Sequence, residues 1–284
     1  MKVLSQVKKD MEFNSGLSSL VEILKGIAVS QYQILERKIQ TFEQFIRTVE
    51  SFFELLDPQY IHHPFIDPHG RPLGVMAITS DTGLLGGLNL EVVNTAIQEL
   101  QASQGELIVV GERGQIYARE RHISFTGFPG IQDEYRYSQA MELRDYVVNQ
   151  VLRGVIGPFK VVYPRAISFT VQRVETLGLL PCSEWLKDRS KDSQIASTDV
   201  LMESFPEDIV EYLVYLWLGQ KFYEILGWSR LAELAARFVH LEGSSQKLQR
   251  LAKDLRLQYF HVMHEIVDRS MRELFAARLL YGKG

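Results

Sequence analysis

The sequence predicts an α/β protein with long terminal helices. The N- and C-terminal helices pair as an antiparallel two-helix coiled coil, and a small Rossmann-like α/β domain is inserted between them. Three observations carry this. Apolar residues recur at spacings of three and four along both ends. No proline occurs between residues 1 and 57, so nothing forces the first helix to stop. From Asp57 the chain alternates strand-like and helix-like stretches. The expected division is residues 1–57, 58–205 and 206–284.

In the first segment Leu17, Leu20, Leu24 and Ile27 are spaced three, four, three, and Gln31, Leu35 and Ile39 follow at fours. Phe42, Ile46, Val49, Phe53 and Leu56 then return to the alternation. The run of fours reads as an insertion in the heptad that locally unwinds the supercoil. The last segment is cleaner. Leu231, Leu234, Phe238, Leu241, Ser245, Leu248, Ala252, Leu255, Tyr259, Val262 and Ile266 hold the alternation, and Leu274 and Ala277 continue it after a shift of register. Trp228 to Leu280 reads as one helix, about 75 Å long at 1.5 Å per residue. A single helix cannot bury so long a seam alone, and each end is the partner for the other.

The insert opens with a loop containing Pro58, Pro64, Pro68, Gly70 and Pro72. Val75–Thr79, Leu107–Val110, Phe159–Tyr163 and Ile167–Val174 read as strands, and Leu90–Leu100 and Tyr135–Val155 as helices. Ser183–Ser204 reads as a polar loop before Pro206 opens the next helix.

The chain has 284 residues, 46% hydrophobic and 23% charged, as in an ordinary soluble globular protein. Its apolar runs are broken by charge well short of the ~20 residues of a membrane span. The first residues, with Lys2, Lys8, Lys9 and Asp10, do not read as a secretory signal. A single cysteine, Cys182, allows no intrachain disulfide and favours a reducing cytosolic compartment. The net charge of −4 is uneven: the acid sits in residues 57–228, and residues 229–284 are basic. That basic excess is small and spread out, which suits a solvated face or an acidic protein partner and excludes a DNA-binding stripe.

Chemistry-bearing residues are few. The stretch from Ile78 to Asn89 holds Gly83, Gly86 and Gly87 between a strand and a helix, a place that can cradle a phosphate. It lacks the following Lys-Ser/Thr pair, and its glycine spacing is not that of a dinucleotide fingerprint, so a structural turn is expected. A nucleotide-binding enzyme would rest on this turn alone. His62, His63, Asp67 and His69 lie close together, and His261, His264 and Asp268 sit near one face of the last helix. A metal site needs three or four converging ligands, and surface histidines are the commoner outcome. No Ser/His/Asp or Cys/His set stands out, and Cys182 has no activating neighbour. No catalytic, cofactor-binding or metal residue is therefore assigned.

The string Ser80-Asp81-Thr82-Gly83-Leu84-Leu85-Gly86-Gly87-Leu88-Asn89 resembles the central-domain signature of the γ subunits of F-type rotary ATPases and ATP synthases, Ser-Asp-x-Gly-Leu-Cys-Gly-Gly-Leu-Asn, with Leu85 in place of the cysteine. Leu24-Lys25-Gly26-Ile27-Ala28-Val29 is similar to that family's Met-Lys-Met-Val-Ala-Ala stretch. Glu233-Leu234-Ala235-Ala236-Arg237-Phe238 is similar to its Glu-His-Ala-Ala-Arg-Met, and Leu255-Arg256-Leu257-Gln258-Tyr259 to the Leu-x-Leu-x-Tyr beyond it. The resemblance spans the whole chain. After Tyr259 the family's Asn, Arg-Gln and Ile-Thr positions read Phe260, Met263-His264 and Val267-Asp268, and Arg272-Glu273-Leu274 matches Glu-Leu only after a register shift.

The resemblance implies a central rotor stalk without an active site or cofactor of its own. Its implied partners are the α and β subunits of a catalytic hexamer, an ε-like subunit and a membrane c-ring. It would lie peripherally at the cytoplasmic face of the cell membrane and bind no nucleic acid. A γ-like scaffold or assembly protein that has lost rotary coupling is the alternative that the departures after Tyr259 suggest.

Overall fold

A computed structural model describes residues 4–39, 48–49, 52, 61, 63–68, 70–101, 105–182 and 204–281. The elements in chain order are α1 (Leu4–Ile39), β1 (Leu73–Ile78), α2 (Leu88–Gln101), β2 (Gly105–Val110), α3 (Glu112–Glu120), β3 (Phe125–Phe128), α4 (Arg136–Leu152), β4 (Phe159–Ala166), β5 (Gln172–Leu180) and α5 (Pro206–Tyr281). The chain divides into two compact units, residues 1–28 with 238–284 and residues 29–237.

In the first unit α1 and α5 run antiparallel. Asn14 Nδ2 donates to the Leu248 carbonyl (3.2 Å), Ser245 Oγ to Glu22 Oε1 (2.7 Å), and Lys25 Nζ bridges Glu22 (3.1 Å) and Glu242 (2.6 Å). The α5 seam is the expected one: Leu241, Ser245 and Leu255 are buried and Phe238, Leu248, Tyr259 and Val262 half-buried. Ala252 and Ile266 are exposed.

The α1 seam differs from expectation. Leu20 and Ile27 are 51% and 48% exposed. Val7, Asn14 and Ala28 are buried, and Leu17, Val21 and Leu24 half-buried. The heptad therefore runs Val7, Asn14, Val21, Ala28, with Leu17 and Leu24 between, and continues to Leu35 without the inferred insertion. The physical reason is that two seam positions hold residues that a hydrophobic pattern passes over. Asn14 takes its place through its hydrogen bond to α5, and Ala28 is small. Phe42, Ile46, Phe53 and Leu56 lie outside the described residues.

The second unit holds a five-stranded sheet in the order β3-β2-β1-β4-β5. β1 pairs in parallel with β2 and β4, β2 with β3 also in parallel, and β4 with β5 antiparallel. All six residues of β1 are buried, as a central strand covered on both faces requires. Val75 and Ala77 face Val92 and Ala96 of α2 and Ala118 of α3. Met76 and Ile78 face Leu143 and Val147 of α4 and Val214, Leu218 and Phe222 of α5. Tyr32 and Leu35 of α1 close a smaller cluster on Leu231, Leu234 and Ala235 of α5.

One expected element shifts, and two further elements appear. Ile167–Val174 was expected to be a strand, but Ile167 to Val171 is the turn between β4 and β5, closed by Ile167 N–H to the Val171 carbonyl (3.0 Å). Its β-forming letters serve packing instead: Phe169 meets Tyr32 of α1 edge-on at 4.7 Å. Helix α3 and strand β3 were not expected. α3 contains Gly114, a poor helix former, because a Cβ there would lie 2.3 Å from Thr79 Oγ1. β3 is a four-residue edge strand whose Gly127 leaves room for Gln115. Ser183 to Glu203 lies outside the described residues.

His63 is 9% exposed, with Nδ1 accepting the Phe65 N–H (3.3 Å) and Nε2 3.7 Å from Glu211 of α5. Burial pushes its pKa below the ordinary histidine value, against the pull of Glu211. The unfolded chain therefore takes up this proton first as pH falls. The stability that neutral His63 contributes is full above about pH 6.5 and is lost as pH drops through the lower folded value. Urea unfolding from pH 7.5 to 5 checks this: His63→Gln flattens the acid-side slope. A second prediction concerns Asn14, whose Oδ1 has no partner among the described residues. A seam asparagine fixes register at a cost in stability, so Asn14→Leu raises the unfolding free energy by about 1 kcal/mol, read as a higher urea midpoint.

Candidate functional site

The glycine-rich string leaves the carboxyl end of β1 and is tied down by its own polar groups. Thr79 Oγ1 donates to the Val110 carbonyl (2.6 Å) and accepts the Gly114 N–H (3.1 Å), joining β1 to β2 and α3. Ser80 and Asn89 bond reciprocally: Ser80 N–H to Asn89 Oδ1 (3.2 Å) and Asn89 Nδ2 to Ser80 Oγ (2.8 Å). The Asp81 carboxylate accepts the Glu112 N–H (2.8 Å) and the Gly130 N–H (3.0 Å), so one side chain spans the loops after β2 and β3. Gly130 has no room for a Cβ, which would sit 2.5 Å from that carboxylate. Leu84 has φ +67° and is 48% exposed. A branched residue in the left-handed region is strained, held here by the bonded residues around it.

In an open α/β sheet the ligand crevice lies beyond the carboxyl ends of the strands. Here α5 occupies that place. Leu85 and Leu88 pack with Ala236 of α5 and with Val174, whose strand partner is Pro164 of β4. Arg237 Nη2 donates to Thr82 Oγ1 (2.7 Å). Two turns earlier, Arg230 Nε donates to Asp133 Oδ2 (3.2 Å) and its Nη1 to Glu233. Glu233 is 3% exposed. Burial pushes its carboxyl above the ordinary glutamate value, and Arg230 and Arg237 pull it back. The two strings noticed in the sequence, Ser80–Asn89 and Glu233–Phe238, are thus one joint. Asp133 and Gly130 complete it, and nothing in the sequence pattern singled them out.

This geometry does not suit phosphate. The Ser80 amide is engaged by Asn89, and Asp81 places a carboxylate where an anion would sit. Among the described residues no three His, Cys, Asp or Glu side chains are placed to hold a metal. His62 and His69 lie outside the described residues, His63 turns to Glu211, and His261, His264 and Asp268 are exposed on α5. Cys182 is fully buried, and burial pushes its thiol up.

An antiparallel helix pair in one unit and, in the other, a five-stranded α/β sheet joined to residues 230–237 of α5 define a class of protein: paired terminal helices with an inserted α/β domain. A model of the family described as ATP synthase matches residues 4–267, and the chain belongs to this family, among its γ chains. It is 24% identical over 263 residues to the ATP synthase gamma chain of Symbiobacterium thermophilum, covering 90% of each chain. It is 25% identical over 219 residues to that of Chlorobium phaeobacteroides, 74% of each. Among solved structures it resembles a chain of the Euglena gracilis mitochondrial ATP synthase rotor, with TM-score 0.68 and 18% identity over 93% of this chain and 98% of that one. A chain of the Tetrahymena thermophila mitochondrial ATP synthase central stalk and c-ring gives TM-score 0.60 and 19% identity, over 80% and 99%.

Removing one partner of a buried ion pair leaves the other uncompensated, at a cost of about 3–5 kcal/mol. Arg230→Met should lower the unfolding free energy by that order. Adding Glu233→Leu to it should recover most of the loss, since two apolar groups leave no orphan charge. Denaturant titration of the two variants checks both.

Proposed function

We propose that the chain is the central rotor stalk of an F-type ATP synthase or ATPase. It couples ATP synthesis or hydrolysis in a hexamer of α and β subunits to ion transport through a membrane ring. In this reading residues 1–57 and 206–284 are the shaft, enclosed asymmetrically by the hexamer. Residues 58–205 form the domain that meets an ε-like subunit and the c-ring. The chemistry belongs to the hexamer, and this chain carries torque. No helix among the described residues is long and apolar enough to cross a membrane, which suits a peripheral place in the complex, on the cytoplasmic face.

The observation that carries the proposal is the joint on α5. α5 is one helix from Pro206 to Tyr281. Arg230 and Arg237 fasten it to the loops after β3 and β1. A twist applied to that helix is handed to the sheet through these two arginines, and slipping Arg230 would leave the buried Glu233 without its ion pair. The surface of α5 gives further support. Ile266, Val267, Met271, Leu274 and Phe275 are each about half exposed or more, more apolar surface than a lone helix leaves in water without a partner.

Co-expression with α and β subunits tests the proposal. The chain should co-purify with the hexamer, and in membrane vesicles that hold the complete complex with its ring, removal of residues 260–284 should cut ATP-driven ion pumping severalfold. Failure to associate, together with ATPase activity that ignores the truncation, would sink it. The scaffold alternative draws on Phe260, Met263-His264 and Val267-Asp268, which depart from the γ pattern. It predicts association with the hexamer but pumping indifferent both to the truncation and to Arg237→Ala.

A further inference from the structure

A cleft of about 720 Å³ opens between α1, the β4–β5 turn and α5. That volume lies in the range of small-molecule sites. Its walls are aromatic: Tyr32 and Phe169 meet edge-on at 4.7 Å, and Trp228 and Leu231, the latter 3% exposed, line it with them. Glu36 lies at the cleft, one turn along α1 from Tyr32, whose hydroxyl donates to Glu36 Oε1 (3.4 Å). The cleft's own cation is already neutralised, since Arg165 pairs with Glu175 at 3.1 Å while lying over the Trp228 ring. Glu224, which accepts the Trp228 indole N–H, is paired with Lys221 at 3.2 Å. Glu36 is the carboxylate that lines the cleft, and it has no ion-pair partner among the described residues.

We infer that this cleft is a binding site for a small amphiphilic cation, an ammonium carrying an aryl or short alkyl group. The ring of Tyr32 attracts positive charge, Glu36 supplies the counter-charge, and Phe169, Leu231 and the part of the Trp228 ring not covered by Arg165 accept the apolar body. An anion of the same shape meets a net negative site with its arginine already taken. A ligand seated here touches α1, the β4–β5 turn and α5 together, so it stabilises their packing by mass action.

Benzyltrimethylammonium titrated into the full chain tests the site, by calorimetry and by Trp fluorescence. One saturable site with a dissociation constant below about 1 mM is expected, with a fluorescence change that disappears in Trp228→Phe. Glu36→Gln lies on the surface, so the fold stays intact by circular dichroism, and affinity should fall at least about tenfold. Glu91→Gln, an exposed acid on α2, should bind as the parent does. Benzenesulfonate should not bind. No saturation up to 10 mM ligand (roughly ten times that constant) overturns the inference. So does unchanged affinity in Glu36→Gln, or equal binding of benzenesulfonate.

Discussion

Glu233 is the constraint on which the second unit depends. A carboxylate removed from water on a long helix is tolerated only where opposite charges and donors meet it. Arg230 meets it from the preceding turn and binds Asp133 in the loop after β3. Arg237, from the following turn, pulls on the same carboxylate and binds Thr82 after β1. The burial of one acid therefore sets both the rotation of α5 about its axis and its height on the sheet. The apolar contacts of Ala236 with Leu85 and Leu88 then fall into place.

The glycine-rich string shows how a sheet of Rossmann type can be put to a mechanical use. The same carboxyl end that binds phosphates elsewhere is closed here by internal bonds. Asp81 bonds two neighbouring loops, Asn89 and Ser80 bond each other, and a helix lies where a ligand would. Fold alone would have suggested nucleotide binding. The side chains argue the other way, since Asp81 holds a carboxylate between two loops and Asn89 takes the Ser80 amide.

The helix pair follows a different logic. Its α5 half could be read in the sequence through Leu241, Ser245, Leu255 and Tyr259 because leucines and aromatics fill most seam positions, while Ala252, Ile266 and Leu274, also expected there, are exposed. Its α1 half could not. Asn14 and Ala28 sit on the seam, while Leu20, Ile23 and Ile27 point outward. Hydrophobic periodicity reports two apolar stripes on α1 and cannot tell which meets α5. The polar cross-links of Asn14, Glu22 and Lys25 to α5 make that choice, and cross-links between distant segments leave no local trace.

By itself the sequence determined the class of fold, the long proline-free ends, the central strands and the family resemblance carried by Ser80–Asn89 and Glu233–Phe238. These rest on short-range patterns: turn residues, periodicities and motifs within a few residues of one another. Only the tertiary structure decided that the two strings touch, that Asp133 and Gly130 belong to the joint, that Ile167–Val171 is a turn and that α3 and β3 exist. The physical reason is common to all four. Gly114 and Gly130 are glycines because Thr79 and Asp81, far away in sequence, occupy the space a side chain would need. Asp133 matters because an arginine 97 residues later reaches it.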